Sequence, residues 1–252
     1  MFDERLCQRF GECIKAGDGK ILMENDKLVI NRDLISDASP LRDVCPSKAL
    51  IVTGQEKNVL QIMQEIEKDI PFYNMSQGGV TLAGGEPLSQ GPELQELVLG
   101  LKKRGIHISA ETSLHVGWEV IERYIDLIDV FLADLKHVDP GKFAKYTGGD
   151  ATLVMNNFKK LDKTGKKYIV RIPVIPEFNF TAPELFSIID FVSGLKNASE
   201  VDLIPYHSLA REKYLMLGKD YKFGDLPNIK KSDLEPFTEY AGQKGLIARI
   251  LN

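Results

Sequence analysis

From about residue 57 the hydrophobic period of this 252-residue chain switches back and forth between that of a helix and that of a strand, and few folds accommodate such a pattern. Val59, Ile62, Ile66 and Ile70 recur at helical spacing, and Pro71 is expected to stop that helix. VTLA, residues 80–83, is a short apolar strand ending at Gly84. Pro92 opens a helix with Leu94, Leu97, Val98 and Leu101 on one face and Gly105 at its end. The strand HISAET follows, then a helical stripe of Val120, Ile121, Tyr124 and Ile125, then the strand DVFLADLK. A helix near residues 151–163 stops at Gly165 before the strand YIVRIPVI. Thr181 and Glu184 have capping-box spacing ahead of another helix, VDLIPYH makes the fifth strand, and Ser232 with Glu235 repeats the box before a last helix ending near Gly245. Strands joined through helices by short connections must run parallel with right-handed crossovers. The expectation is an α/β fold, a partial parallel β/α barrel over residues 54–252, with a doubly wound open sheet as the alternative.

Polar residues collect where these strands end: Glu86, Glu111, Thr112, Asp134, Lys136, Arg171 and His207. In a β/α barrel that is the face on which sites are built. Within GGVTLAGGEPLSQ, residues 78–90, there is neither the Gly-Lys-Ser/Thr ending of a phosphate loop nor the spaced glycines of a dinucleotide fold. Gly84 and Gly85 allow a ligand to reach the backbone, and Glu86 can accept hydrogen bonds from an ammonium group. A small zwitterion fits this stretch; so does a tight turn in which glycine only supplies positive φ.

The net charge of −4 and pI near 5.7 give no electrostatic footprint for nucleic acid or an anionic membrane. Lys102, Lys103 and Arg104, and likewise Lys159 and Lys160, end amphipathic helices, where cations suit the helix dipole. The start MFDERL is charged and no apolar run is long enough to span a bilayer, so the expectation is a soluble cytoplasmic protein. Three cysteines do not make a disulfide framework.

AGGEPL, AETS, DVFLADLKHVDPGKFAKYTG, VRIPVIPEFN and LIPYHSLAREKY, in that order and spacing, resemble the radical S-adenosylmethionine (SAM) enzymes that activate glycyl radical enzymes, such as the activators of pyruvate formate-lyase. The likeness covers nearly all of residues 50–220. It implies an oxidoreductase of anaerobic metabolism that cleaves SAM reductively and abstracts a hydrogen from a glycine of its partner, a glycyl radical enzyme, with electrons from flavodoxin or ferredoxin. It implies that Gly84, Gly85 and Glu86 face the methionyl ammonium. Glu111, Thr112 and Asp134 would hold a monovalent cation beside the methionyl carboxylate, while Lys136, Arg171 and His207 contact the cofactor or the peptide. Leu114 and Ala210 depart from the pattern, standing where glycine is usual and narrowing the cavity.

The family's 4Fe-4S cluster sits on three cysteines spaced C-x3-C-x2-C after a first strand, and no such run is present in these 252 residues. The chain as given is therefore expected to lack that strand and its catalytic ligands, and not to generate radicals by itself. A non-catalytic barrel that binds SAM or docks the partner is the alternative; a third reading, a barrel aldolase or isomerase, finds neither an obvious phosphate site nor a Schiff-base lysine signal in this sequence. An edge at VTLA without its neighbour invites dimerisation or a covering segment.

Residues 1–53 resemble a degenerate two-cluster ferredoxin insert, which favours a diol, choline or amino-acid lyase as partner over pyruvate formate-lyase. CQRFGECIKAG places Cys7, Phe10, Cys13 and Gly17 at the first four ligand positions, and ISDASPLRDVCP places Ile35, Ala38, Leu41 and Cys45 at the second four. Ferredoxin topology assigns the fourth position of each run to the other cluster. The resemblance thus groups Cys7, Cys13 and Cys45 with Phe10 in one vestigial metal site, expected to be packed dry, and leaves Ile35, Ala38 and Leu41 as a separate apolar cluster.

Overall fold

The computed structural model describes residues 1–223 and 226–251. They form two compact units, one of residues 1–56 with 208–226 and the other of residues 57–207 with 227–252.

In the first unit, strands β1 (Ile21–Glu24) and β2 (Lys27–Ile30) pair antiparallel, with Glu24 opposite Lys27. The two residues between them, Asn25 and Asp26, both have positive φ, the conformation of the tight hairpin turns that match strand twist. Ile21, Leu41 and Leu50 are the buried centre, and Cys13, Ile14, Ile35, Val44 and Cys45 pack on it. Phe2 bridges Leu50, its amide donates to the Met216 carbonyl at 2.8 Å, and the Arg32 guanidinium donates to that carbonyl at 3.2 Å. These bonds hold the helix Ala210–Met216 in this unit.

The second unit is built on one parallel sheet: β3 (Gly79–Leu82), β4 (His107–Thr112), β5 (Val130–Asp134), β6 (Tyr168–Val174), β7 (Glu200–Pro205) and β8 (Ile247–Ile250), side by side in chain order. This is the open, partial barrel expected, with one strand more: LIARI, after the last helix, pairs with β7. Alternate residues are buried, among them Ile108, Ala110, Phe131, Ala133, Val170, Ile172, Val174, Val201 and Leu203. They lie on one face of the pleat, as the period of two requires, and the opposite face carries Thr81, Ser109, Glu111, Asp134 and Arg171. β3 is an edge. A Cβ at Gly79 would lie 2.0 Å from the carbonyl oxygen of His107, its partner in register, so this position has to be glycine for the strand to pair.

Helix boundaries differ from the sequence reading in instructive ways. The helix Val59–Glu67 ends before Pro71, which sits in the first turn of a separate helix, Ile70–Ser76, where its missing N–H leaves no bond unmade. The capping box forms at Asn58 and Gln61, with amide-to-side-chain distances of 2.9 and 3.0 Å. At Thr181 the hydroxyl bonds the Glu184 carboxylate at 2.9 Å instead of capping the helix. Ser232 caps nothing, because the helix Glu235–Gln243 starts after a turn of 3-10 helix, with Pro236 in its first turn.

Candidate functional site

Two sets of polar contacts lie along β3 to β6, one in the loops after β3 and β4 and the other between side chains of β4, β5 and β6. The first begins in the turn after β3, where Gly84 has φ +127°, a conformation that strains any L residue. Gly84 and Gly85 are exposed, and a Cβ at either would meet no atom within 4 Å. The backbone here therefore faces open space.

Glu86 turns the other way. Its Oε1 accepts from the Thr112 hydroxyl at 2.8 Å and the Leu88 amide at 3.3 Å, and its Oε2 accepts from the Ser113 amide at 2.9 Å and the Ser113 hydroxyl at 2.7 Å. With four protein donors on its two oxygens, this carboxylate lashes the glycine turn to the end of β4. The sequence reading expects Glu86 to face an ammonium; among the described residues its donors are Thr112, Ser113 and Leu88, and Ser113 was not singled out although it belongs to the AETS motif.

Next to Thr112, Glu111 accepts from Nη1 of Arg171 at 2.7 Å. The Arg171 Nε lies 3.2 Å from Oδ1 of Asp134, whose other oxygen is 3.3 Å from Nζ of Lys136. Arg171 Nε and Asp134 Oδ1 are within ion-pair distance yet misaligned, and both are buried without a hydrogen bond. Two charged groups with unused hydrogen-bonding capacity, 18% and 20% exposed, are the feature of this face that most calls for a polar ligand. The positive charge between Glu111 and Asp134 is Arg171's own.

Asp202, not foreseen from sequence, continues the row. In register it stands between Arg171 on β6 and Arg249 on β8. It is 6% exposed with Oδ1 unpartnered, and burial pushes its carboxyl above the usual range against the pull of Arg249. Its signal was there to read: an acid inside VDLIP at the alternation shared with Arg171. His207 is exposed beyond β7 and, among the described residues, takes no part in this network. Leu114 has φ +53°, which explains why glycine suits the position, but its side chain is wholly buried and does not narrow a cavity.

In the first unit Cys7, Phe10, Cys13 and Cys45 line one cavity of about 20 Å³, while Ile35, Ala38 and Leu41 line another, of about 240 Å³; the separate apolar cluster expected for the second set does not form, because Ile35 and Leu41 belong to the same core as Cys13 and Cys45. Burial raises the Cys13 thiol, with Cys45 and then Cys7 adding to the shift. Burial acts the same way on Cys45, but the Ser47 hydroxyl and the amides of Leu50, Ala49 and Ser47 outweigh it and hold that thiol below its usual value. Among the described residues, no group of three or more His, Cys, Asp or Glu side chains is placed to hold a metal ion. Among them, too, no helix is long and apolar enough to cross a membrane.

The model of the radical SAM superfamily matches residues 44–186. The trans-4-hydroxy-L-proline dehydratase activating enzyme of Clostridioides difficile is 32% identical over 93% of this chain and 79% of its own. The chain belongs to the radical SAM superfamily, among the activating enzymes of glycyl radical enzymes. The choline trimethylamine-lyase activating enzyme of Oleidesulfovibrio alaskensis is 34% identical over 75% of this chain. This radical SAM chain spans 62% of that relative's length, and 65% of the (2S)-3-sulfopropanediol dehydratase activating enzyme of Klebsiella oxytoca. Its fold is also that of a domain of a pyruvate-formate lyase-activating enzyme from Bacteroides vulgatus, with a TM-score of 0.59 at 23% identity over 69% of this chain and 99% of that one. The superfamily uses SAM and a 4Fe-4S cluster.

Proposed function

We propose that this chain supplies the cofactor-holding barrel of an activating enzyme, with SAM seated on the strand ends and a glycyl radical enzyme as protein substrate. The observation that carries it is a buried donor and acceptor, Arg171 Nε and Asp134 Oδ1, left without a hydrogen bond on the sheet whose edge strand runs into the open glycine turn. Exposed backbone at Gly84 and Gly85 can take the methionyl ammonium through carbonyl oxygens while the Glu86 lashing fixes the turn. Arg171 Nε and Asp134 Oδ1, which make no hydrogen bond, are a donor and an acceptor for the cofactor's carboxylate and ribose hydroxyls. Lys136 adds positive charge on the same side, and Glu111 and Thr112 hold Arg171 and Glu86 in place. His207, exposed beyond β7, is assigned to the adenosine end. A monovalent cation at Asp134 is compatible with the unused Oδ1.

SAM, when bound, supplies on reductive cleavage the species that abstracts a glycine hydrogen. No set of three cysteines among the described residues fits a 4Fe-4S cluster, so the roles above are confined to binding and orientation. Flavodoxin or ferredoxin is the electron donor proposed for the whole enzyme, and a hydroxyproline, choline or diol lyase the class of partner.

Titration calorimetry with SAM tests the reading. The wild-type chain is expected to bind at millimolar cofactor or below, and Gly85→Val to lose that binding with an unchanged melting curve. Equal binding by both proteins would refute the assignment.

A further inference from the structure

The first unit holds chemistry that the strand-end site does not use. Cys7, Cys13 and Cys45 are free thiols, each half-buried, and all line a cavity with room for about one water molecule. Cys13 and Cys45 pack on the same Ile21, Leu41 and Leu50 core, from a one-turn helix and from the loop that leads to Leu50. Of the two thiols that act on Cys13, Cys45 acts more strongly than Cys7. The Ser47 hydroxyl lies 3.4 Å from Cys45 Sγ, close enough to donate to it. Met23, Leu28 and Phe10 are further walls of the cavity, and all three cysteines are partly open to solvent, where a small oxidant can reach them. No metal-holding arrangement competes for these sulfurs among the described residues, so the reactivity left to them is that of thiols.

We propose that Cys45 and Cys13 are a peroxide-sensitive dithiol that closes to a disulfide. Cys45 sulfur attacks one oxygen of hydrogen peroxide, breaking the O–O bond and leaving a sulfenic acid and one water. Cys13 sulfur then attacks the Cys45 sulfur, the S–O bond breaks, and the hydroxyl departs as a second water with the remaining thiol proton. Two thiols lose two electrons and two protons in all, and one peroxide is reduced to two waters. Cys7 is a bystander. The bond would fasten the helix Glu12–Ala16 to the Cys45 loop across the small core of a unit with few buried residues.

The test uses the full chain, freshly reduced, freed of reductant and exposed to hydrogen peroxide, then analysed by intact mass and peptide mapping. The wild type and Cys7→Ser are expected to lose two hydrogens and yield a peptide linking residues 13 and 45. Cys45→Ser should yield no link, and Cys13→Ser should stop at a Cys45 sulfenic acid that dimedone traps. The alanine variants at both positions, matched to the wild type by melting curve, guard against misfolding. Three unreacted thiols, a link through Cys7, a mixture of links equal to that formed in urea, or co-purified zinc that blocks oxidation would each overturn the proposal.

Discussion

Ser113 is joined to Glu86 twice, its amide at 2.9 Å and its hydroxyl at 2.7 Å from the same carboxylate oxygen. The two residues stand on the loops that follow adjacent strands, so this pair of hydrogen bonds sets the position of the glycine turn. Glu86→Ala would strand the Thr112 and Ser113 donors and is expected to cost about 2–3 kcal/mol, with Glu86→Gln losing roughly half as much. Urea denaturation of both variants measures it; a neutral Glu86→Ala would mean that the lashing is dispensable.

Arg171 separates two carboxylates that otherwise face each other. Arg171→Met leaves Glu111 and Asp134 without their shared cation and is expected to destabilise the fold by about 2–4 kcal/mol, a little under the range for fully buried pairs. Cofactor binding should fall at least about tenfold, and Arg171→Lys should not restore it, because one ammonium cannot serve both acids in the geometry of a guanidinium. Calorimetry on the three proteins decides this.

Asp162 is 7% exposed and accepts from the Tyr168 hydroxyl at 2.7 Å and from the amides of Asn197 and Lys196 at 2.7 and 3.0 Å. Burial raises its carboxyl, and these donors together outweigh burial and leave it lowered. A carboxylate lowered in the folded state stabilises it above the unfolded pKa of about 4 and loses that contribution as pH falls through the lower folded value. Asp162→Asn is expected to melt lower near neutrality and to lose less stability than the wild type as pH falls below about 4. Parallel acid-melting slopes for the two proteins would contradict the prediction.

Leu114 combines positive φ with a fully buried side chain. Glycine there would relieve about 1 kcal/mol of backbone strain and forfeit about 2–4 kcal/mol of packing. Leu114→Gly should therefore lower the melting temperature, while Leu114→Ala, which keeps the strain, should lower it further.

The architecture was legible where the hydrophobic period was sustained, which is why β4 to β7 fall close to their expected bounds. β8 escaped because LIARI is short and follows a helix whose end at Gly245 reads as the close of the pattern. The hairpin at Asn25 and Asp26 escaped because its turn carries no glycine, although both residues tolerate positive φ. Sequence placed Glu111, Asp134 and Arg171 on strand ends; it could not say that a guanidinium from β6 would reach past β5 to an acid on β4, because such a contact depends on sheet twist and side-chain length together. The same limit hid the partners of Glu86.

Three of the glycines around β3, Gly79, Gly84 and Gly85, answer to different constraints, and this bears on how the protein can vary over generations. Gly79 is held by the neighbouring strand and Gly84 by its backbone angle, so both would resist replacement even in a descendant that had abandoned all catalysis. Gly85 has neither excuse: its φ is ordinary and nothing in the chain crowds it. If Gly85 is retained through divergence, the force retaining it comes from a molecule outside the polypeptide, and its drift to alanine or serine in some lineage would be an early trace of a barrel that has ceased to hold its cofactor.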